Sequence, residues 1–334
     1  MSGSKVSHVC AFDTLLKRNV PHILEIIFLS LDYGSFKTCH EVCNAWYKLL
    51  TCENSLLRKK AKLIHKSKMW QDKNKLYDLC KKGKAEPVSR LLKKGVNQWT
   101  NSKGINRVGI TPLVIAARRG HMSVIQVLLN RGARPKEVDR NGETLLHHAS
   151  DSGNKDVVKL FIDLGAIIKL DKKGRTPLYY PARRGQKDVV KLLLDAGADP
   201  NVADAWGVTP LQDAALSGHK AVVKLLLHKG AEPNKAHANG QTALHASVGA
   251  GHKDVVELLL NHGADPNMAD ENEEVPLHCA AWWGYTDVVK LLLKRGAKKL
   301  LRDKDKQYPL DMANKNRHKD VIKLLKDGCE TADQ

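Results

Sequence analysis

A 33-residue period organises most of this chain. The tripeptide TPL, or a near copy of it, recurs at intervals of 32 or 33 residues. Its first residues are Thr111, Thr144, Thr176, Thr209, Thr242, Val275 and Tyr308. Because so regular a spacing does not arise from composition alone, the sequence predicts an array of one repeated structural unit.

Local chemistry explains the recurring residues of each unit. The Thr hydroxyl can cap a helix N-terminus, and the Pro after it suits the first helical position, where no N–H is needed. Glycines such as Gly120 and Gly218 follow the helix, where a positive φ is required. The DVVKLLL segments place Val and Leu on one helical face and Lys on the other. Each unit is therefore predicted to contain two antiparallel helices and a β-hairpin loop, which must stack on neighbours to bury its apolar face.

These features resemble the ankyrin repeat. The stretch 209–234, TPLQDAALSGHKAVVKLLLHKGAEPN, carries the closest resemblance. The similarity extends over residues 73–328 as a partial N-terminal cap unit followed by seven units. It implies an all-α fold, with an ankyrin solenoid that binds other proteins.

Several positions depart from the repeat pattern. A four-residue insertion lies near residues 101–107. Pro181 replaces the usual Ala inside a helix, where we expect a lost hydrogen bond and a kink, at about 3 kcal/mol. Glu273 and Lys306 replace the Gly of the loop turn, so we expect the last two loops to be reshaped. Arg317, also in place of Gly, marks the last unit as a polar C-terminal cap.

The segment 19–63 precedes the repeats and has a different pattern. An apolar run from Ile23 to Leu31 begins just after Pro21, but it is interrupted by Glu25 and is far shorter than the roughly 20 residues of a membrane span. The frame VP, IL, IF, LD and VCNAW resembles an F-box, with Val and Phe-Lys in two places where that family usually has Leu. A generic helical hairpin that caps the array is the alternative.

The F-box resemblance implies docking onto a Skp-type adaptor, which joins a cullin scaffold, while the second domain selects a protein substrate. A helix face that enters a groove of the partner is the expected recognition mode. The adaptor-binding residues implied are Pro21, Ile23, Leu24, Ile27, Phe28, Leu31 and Trp46. Around this module we expect a flexible N-terminus (1–18), a basic helical linker (64–72) and a C-terminal tail (329–334).

The substrate is expected to bind at loop tips and at the exposed ends of the first helices. Exposed aromatic and Arg side chains are the commonest binding anchors. The predicted residues are Arg118, Arg119, Tyr180, Arg183, Arg184, Trp206, Trp282, Trp283 and Tyr285. They favour a partner with an acidic or phosphorylated part beside a bulky apolar part. In the alternative interpretation the indoles pack on neighbouring helices and the arginines are solvated.

The remaining reactive residue types predict neither catalysis nor a metal site. His147, His245 and His278 occupy the slot after TPL, where His supports the turns of adjacent units. The seven cysteines are scattered, which fits a reducing compartment, and Cys39 with Cys43 lacks the two further ligands of a zinc site. We expect no cofactor and no metal.

The net charge of +19 raises the question of nucleic acid as a partner. The lysines are interleaved with Asp and Glu on the second helices, and no nucleic-acid motif is present, so neither nucleic acid nor a membrane is the expected partner. We predict a non-enzymatic substrate receptor of an SCF-type ubiquitin ligase, monomeric within its complex, in the cytoplasm. The basic stretch 58–68 fits nuclear import or a solvated helix end. A scaffold or inhibitor without a ligase link is the alternative.

Overall fold

The computed structural model describes residues 71–94, 96, 110–135 and 138–327. The F-box-like segment 19–63, with all its predicted adaptor-binding residues, lies outside the described residues. The insertion near 101–107, the two predicted termini (1–18 and 329–334) and residues 64–70 of the predicted linker also lie outside them.

The chain divides into two compact units, residues 1–116 with 123–133 and residues 117–122 with 134–334. The first unit contains helical residues 71–81, α1 (Ala85–Lys93), and most of α2 (Pro112–Arg118) and α3 (Met122–Asn130). Its apolar side chains are buried along each of these helices. They include Leu76, Cys80, Val88, Leu92, Leu113, Val124, Ile125 and Leu128.

Six helix pairs build the second unit. They are α4 (Leu145–Ser152) with α5 (Lys155–Asp163), α6 (Tyr179–Arg183) with α7 (Lys187–Asp195), α8 (Pro210–Leu216) with α9 (Lys220–His228), α10 (Ala243–Gly249) with α11 (Lys253–Asn261), α12 (Pro276–Trp283) with α13 (Thr286–Lys294), and α14 (Pro309–Lys315) with α15 (Lys319–Lys326). The first helix of each pair packs on the first helix of the next, and the second helices pack likewise. The unit is therefore a two-layered helical stack, as the repeat pattern predicts.

Helices are the regular structure throughout the described ranges, apart from a single antiparallel bridge between Val138 and Thr144. Apart from this bridge, the predicted β-hairpins do not form strand pairs in the described residues. Each loop instead contains one turn, in which the backbone N–H of a loop residue donates to the backbone carbonyl four positions later. In the α8 loop, for example, Asp204 N donates to Val208 O at 2.9 Å. Over these same ranges, none of the helices has the length and apolar character needed to cross a membrane.

The predicted Thr caps begin α8 and α2, whereas α6 begins two residues later than a cap at Thr176 predicts. Thr209 Oγ1 accepts a hydrogen bond from the Gln212 amide at 3.3 Å, and Gln212 Oε1 accepts one from the Thr209 amide at 2.7 Å. This reciprocal pair satisfies two backbone donors that the helix itself leaves unpaired. Thr111 Oγ1 likewise accepts from the Val114 amide, as predicted.

The repeat histidines bridge neighbouring helix pairs, which confirms their predicted structural role. In each, Nδ1 faces a backbone N–H and Nε2 faces a carbonyl of the next pair, so the ring must be the neutral Nε2–H tautomer. Burial lowers the pKa of all three and favours that neutral form. The Nε2 bonds join His147 to Arg175 (3.0 Å), His245 to Glu274 (3.1 Å) and His278 to Gln307 (3.2 Å).

Pro181 does not kink a full-length helix, contrary to our expectation. Helix α8 begins at Pro210, but α6 begins only at Tyr179, two residues after the equivalent Pro177. Pro181 is thereby the third helical residue, and the first residues of a helix have no intrahelical partner for their N–H groups. Because α6 starts two residues later than the pattern suggests, Pro181 does not remove a hydrogen bond from the helix interior.

The last two loops keep the shape of the others, so the expectation that they are reshaped is wrong. Glu273 (φ 59°) and Lys306 (φ 60°) adopt the left-handed conformation that Gly207 (φ 81°) has in the α8 loop. Each amide donates to the carbonyl three residues earlier at 2.9 Å, as the Gly207 amide does. Side chains with a β-carbon are therefore held in a region that favours glycine.

Candidate protein-binding surface

Most predicted binding residues lie where the first helices end. We call these positions the helix-end row, meaning the two residues before each helix-ending position. Its members in the second unit are Arg118–Arg119, Asp151–Ser152, Arg183–Arg184, Leu216–Ser217, Gly249–Ala250, Trp282–Trp283 and Lys315–Asn316. The row is basic at its N-terminal side and apolar towards its C-terminal side.

Two arginines of the row are held by Asp151. Arg118 Nε donates to Asp151 Oδ2 at 3.1 Å, and Arg184 Nη1 pairs with Oδ1 and donates to the Asp151 carbonyl at 2.6 Å. The carboxylate is buried, whereas both arginine side chains are about half exposed, at 47% and 50%. Their charge is thus largely balanced by the protein itself.

Arg119 and Arg183 are the row's remaining arginines, and both are exposed. Arg183 Nη1 donates to the Tyr179 hydroxyl at 2.9 Å. Within the described ranges neither guanidinium forms an ion pair, so both charges face solvent. These two residues are the better placed of the four to meet an acidic partner.

Tyr180 lies in an interior network. Its hydroxyl donates to Glu143 Oε1 at 2.9 Å and accepts from Arg175 Nη1 at 3.0 Å. Burial, together with the carboxylate of Glu143, raises the pKa of Tyr180 to about 12. The side chain is half-buried, so it offers a partner only part of its ring.

The apolar half of the row is open to solvent. Leu216 and Trp283 are 55% and 56% exposed, and Trp282 is 38% exposed. Between Leu216 and Trp282 the row carries Gly249, and a β-carbon there would meet no atom within 4 Å. The surface therefore dips between two apolar walls. On a regular helix end, such exposed indoles are typical of an interaction site.

Neighbouring side chains hold Trp282 in place. Lys315 Nζ lies 5.5 Å from the centroid of its ring, within the range of a cation–π contact. The backbone carbonyl of Trp282 accepts a hydrogen bond from His318 Nε2 at 2.9 Å. An indole fixed in this way loses little conformational entropy when a partner binds.

Trp206 and Tyr285 lie outside the row. Trp206 is at a loop tip, as predicted, is 55% exposed, and has Lys173 Nζ 5.7 Å from its ring centroid. Tyr285 covers the turn at Gly251, where an added β-carbon would lie 2.8 Å from Tyr285 Cζ. His219 and His318 occupy the same place over Gly185 and Gly284. The position of Tyr285 is therefore one of packing between helix pairs.

Comparison with protein families decides what the repeat is. The family model described as "Ankyrin repeats (3 copies)" matches residues 76–170, 132–204, 169–237 and 211–303. Together these overlapping matches run from 76 to 303, more than half of the 334-residue chain. The chain belongs to the ankyrin-repeat family.

Curated relatives share parts of this ankyrin array. The inactive serine/threonine-protein kinase TEX14 of Bos taurus is 34% identical over 95 residues, which is 28% of this chain and 6% of that protein. The transient receptor potential cation channel subfamily A member 1 of Homo sapiens is 36% identical over 110 residues, 33% of this chain and 10% of the channel. The ankyrin repeat and SAM domain-containing protein 6 of Mus musculus is 37% identical over 67 residues, 20% of this chain and 8% of that protein. The chain thus spans at most a tenth of each of these relatives.

A buried polar layer runs beneath the ankyrin loops, and it was not predicted from the sequence. In four of the six pairs it draws on three positions: the loop residue that holds the turn, the residue before the helix cap, and the fourth residue after the cap. Aligning the chain at its 33-residue period would have revealed polar residues in these columns. The sets are Asp139, Glu143 and His148; Asp171, Arg175 and Tyr180; Asp204, Val208 and Asp213; and Asp270, Glu274 and Cys279.

Two groups of this layer have pKa values well above their ordinary ones. Burial raises the pKa of Asp213 to about 6, with Arg183 opposing the shift and Asp204 adding to it. Burial, with Glu274 and Asp270 nearby, raises the pKa of Cys279 to about 12. A thiol with so high a pKa is a poor nucleophile near neutral pH, so Cys279 is not activated for chemistry.

Proposed function

We propose that this chain captures a protein partner on the helix-end row. The observation that carries the proposal is the exposure of Leu216, Trp282 and Trp283 around the dip at Gly249. Ankyrin repeats indicate a protein-interaction role in general, and large exposed apolar side chains supply much of the energy of such contacts. On this proposal a bulky apolar segment of the partner enters the dip.

The charged part of the partner is assigned to the other half of the row. Arg118 and Arg184 are already paired with Asp151, so we assign recognition of an acidic or phosphorylated segment to Arg119 and Arg183. Tyr180 and Tyr285 serve as supports of this surface, and Trp206 extends it at the loop tips. Arginine suits this task because its planar fork binds carboxylate and phosphate with two hydrogen bonds.

We further propose that the partner is a substrate for ubiquitination. The support is the resemblance of residues 19–63 to an F-box, which implies binding to a Skp-type adaptor and through it to a cullin scaffold. The chain would act by proximity, holding a substrate lysine near the charged ubiquitin carrier without chemistry of its own. Such a complex works in the cytoplasm or the nucleus, which is where we place this protein.

Adaptor binding tests the ligase part of the proposal. Purified full-length chain is mixed with a Skp-type adaptor, alone and with the cullin N-terminal domain, and compared with Pro21→Ala/Leu24→Ala. We expect micromolar or tighter binding that the double variant loses and that Trp283→Ala keeps. Circular dichroism verifies that all three proteins retain the helical array. No binding by the wild type would refute the ligase link and favour a scaffold or inhibitor.

A second experiment tests the surface independently of the adaptor. Proximity labelling in cells compares the wild type with Trp282→Ala/Trp283→Ala. Leu300→Ala is the matched control, because Leu300 is 68% exposed and lies outside the row. We expect the double variant to lose a set of labelled proteins that the control retains. Identical labelling by all three chains would contradict the assignment of the surface.

A further inference from the structure

Three buried side chains of the first set in the polar layer converge on one point. Asp139 and Glu143 flank the loop turn before α4, and His148 comes from the first turn of that helix. His148 Nε2 lies 3.3 Å from Asp139 Oδ2 and 4.0 Å from Glu143 Oε2. The side chains of His148, Asp139 and Glu143 are only 4%, 1% and 9% exposed, and one ligand atom from each lies within 4.8 Å of the others.

Two of the converging atoms are ones that the protein leaves without hydrogen bonds. Asp139 Oδ1 accepts from the amides of Asn141 (2.8 Å) and Glu143 (2.9 Å). Glu143 Oε1 accepts from Arg175 (3.1 Å) and from the Tyr180 hydroxyl (2.9 Å). Asp139 Oδ2 and His148 Nε2, in contrast, face each other at 3.3 Å, and neither has a well-aligned hydrogen-bond partner in the described part of the chain. Buried polar atoms without a partner are rare, and each calls for an explanation.

The next set of the layer shows what is missing at this point. There the buried Asp171 Oδ2 is paired with Arg175 Nη2 at 2.6 Å. The residue equivalent to Arg175 in the first set is Glu143, so a carboxylate replaces the cation beside an equally buried Asp. Arg175 already pairs with Glu143 in the first set, so what that set lacks is a cation beside Asp139 Oδ2. A bound metal ion would supply it.

We propose that Asp139, Glu143 and His148 bind one divalent transition-metal ion of the zinc type, through Oδ2, Oε2 and Nε2. Zinc–nitrogen and zinc–oxygen bonds of about 2.0–2.2 Å separate tetrahedral ligand atoms by about 3.3–3.5 Å. The distance from His148 Nε2 to Asp139 Oδ2, 3.3 Å, matches this separation, and the 4.0 Å to Glu143 Oε2 is about 0.5 Å longer. A mixed nitrogen and oxygen set favours zinc over calcium or magnesium, which prefer six or more oxygens. The bonds to Asn141, Glu143, Arg175 and Tyr180 would act as the outer shell that orients the two carboxylates.

The experiment titrates the full-length, chelator-treated chain with Zn²⁺ against a chromophoric zinc indicator, and with Co²⁺ by absorption spectroscopy. We expect one equivalent of tight binding, and a Co²⁺ spectrum without the thiolate charge-transfer band that the seven cysteines would produce. At a zinc concentration about 100 times the Kd, the melting temperature should rise by about 5–10 °C.

Two variants and a control locate the site. His148→Ala and the isosteric Glu143→Gln should weaken Zn²⁺ binding by more than about 100-fold, and Glu143→Gln keeps the fold testable if His148→Ala unfolds. His262→Ala, at an exposed His, should bind like the wild type. Absence of stoichiometric binding by the wild type would overturn the proposal and leave these three side chains to interact only with one another and with Arg175 and Tyr180. Unchanged binding by both variants would overturn it as well.

Discussion

Strain at Glu273 gives the sharpest test of how this array is held together. Its φ of 59° lies in the left-handed region, which costs a residue with a β-carbon about 1–2 kcal/mol. Glycine removes that cost but gains freedom in the unfolded chain worth about 0.5–1 kcal/mol. Glu273→Gly should therefore stabilise the folded array by about 0.5–1 kcal/mol. At about 2–4 °C per kcal/mol for a protein of this size, the melting temperature rises by about 1–4 °C.

Lys306 and Arg317 have the same conformation, with φ of 60° and 61°. Because the three positions occupy separate turns, their effects should add to about 2 kcal/mol in the triple glycine variant. Thermal melts followed by circular dichroism measure the total. Hydrogen exchange of the Asp270–Glu274 turn shows whether the single Glu273→Gly gain is local.

The control for Glu273→Gly is Glu273→Ala. Both variants remove a carboxylate from a crowded acidic loop, in which burial and the charges of Asp270 and Asp303 raise the pKa of Glu274. Only glycine also removes the β-carbon. If alanine stabilised the array as much as glycine, relief of charge repulsion would be the cause, and the argument from backbone strain would be refuted.

Three further changes test the interior. Burial raises the folded pKa of Asp213 to about 6, so its contribution to stability is full below about pH 4 and is lost as the pH rises through 6. Asp213→Asn should match the wild type at about pH 4 and exceed it by about 3 kcal/mol at about pH 7.5 in urea denaturation. A gain equal at both pH values would contradict this. Asp151→Asn should destabilise by about 1–2 kcal/mol, because Arg118 and Arg184 lose a buried charged partner, and an unchanged urea midpoint would show that the two pairs contribute nothing. Pro181→Ala should change the free energy of unfolding by less than about 1 kcal/mol, because residue 181 lies in the first turn of α6, where a backbone N–H has no partner within the helix. A gain of about 3 kcal/mol would instead show that Pro181 breaks a hydrogen bond inside the helix.

The repeating parts of the fold follow from the sequence because each depends on local chemistry. Thr209 with Gln212 is a cap that needs only four residues, and the bridging role of His245 depends on the same spacing in every unit. Pro181 could not be predicted in the same way. The repeat pattern places a helix start at Pro177. It carries no signal that α6 begins two residues later, at a point that depends on how the neighbouring helices pack.

The sequence predicted where the helix-end row lies, but not how its arginines are paired. The helix-end row follows from the period alone, and the exposure of Trp283 agrees with it. The pairing of Arg118 and Arg184 with Asp151 depends on contacts between residues 33 positions apart. A sequence read one unit at a time cannot show that the anion closest to these arginines comes from the neighbouring unit.

This division of the row has a consequence for recognition. A cation that already has a buried partner can bind an acidic ligand only by sharing or breaking that pair, so Arg118 and Arg184 add little net affinity. Lys315 Nζ lies 5.5 Å from the ring centroid of Trp282, but within the described residues neither Trp282 nor Trp283 has a buried charge pair to break. Burying their exposed faces removes apolar surface from water at about 25 cal/mol per Å². Affinity for a protein partner should therefore reside mainly at the apolar half of the row. The arginines then select which apolar segment is accepted. A partner with a positive charge beside that segment would bring it next to the positive charges of Arg119 and Arg183, and the like charges would repel.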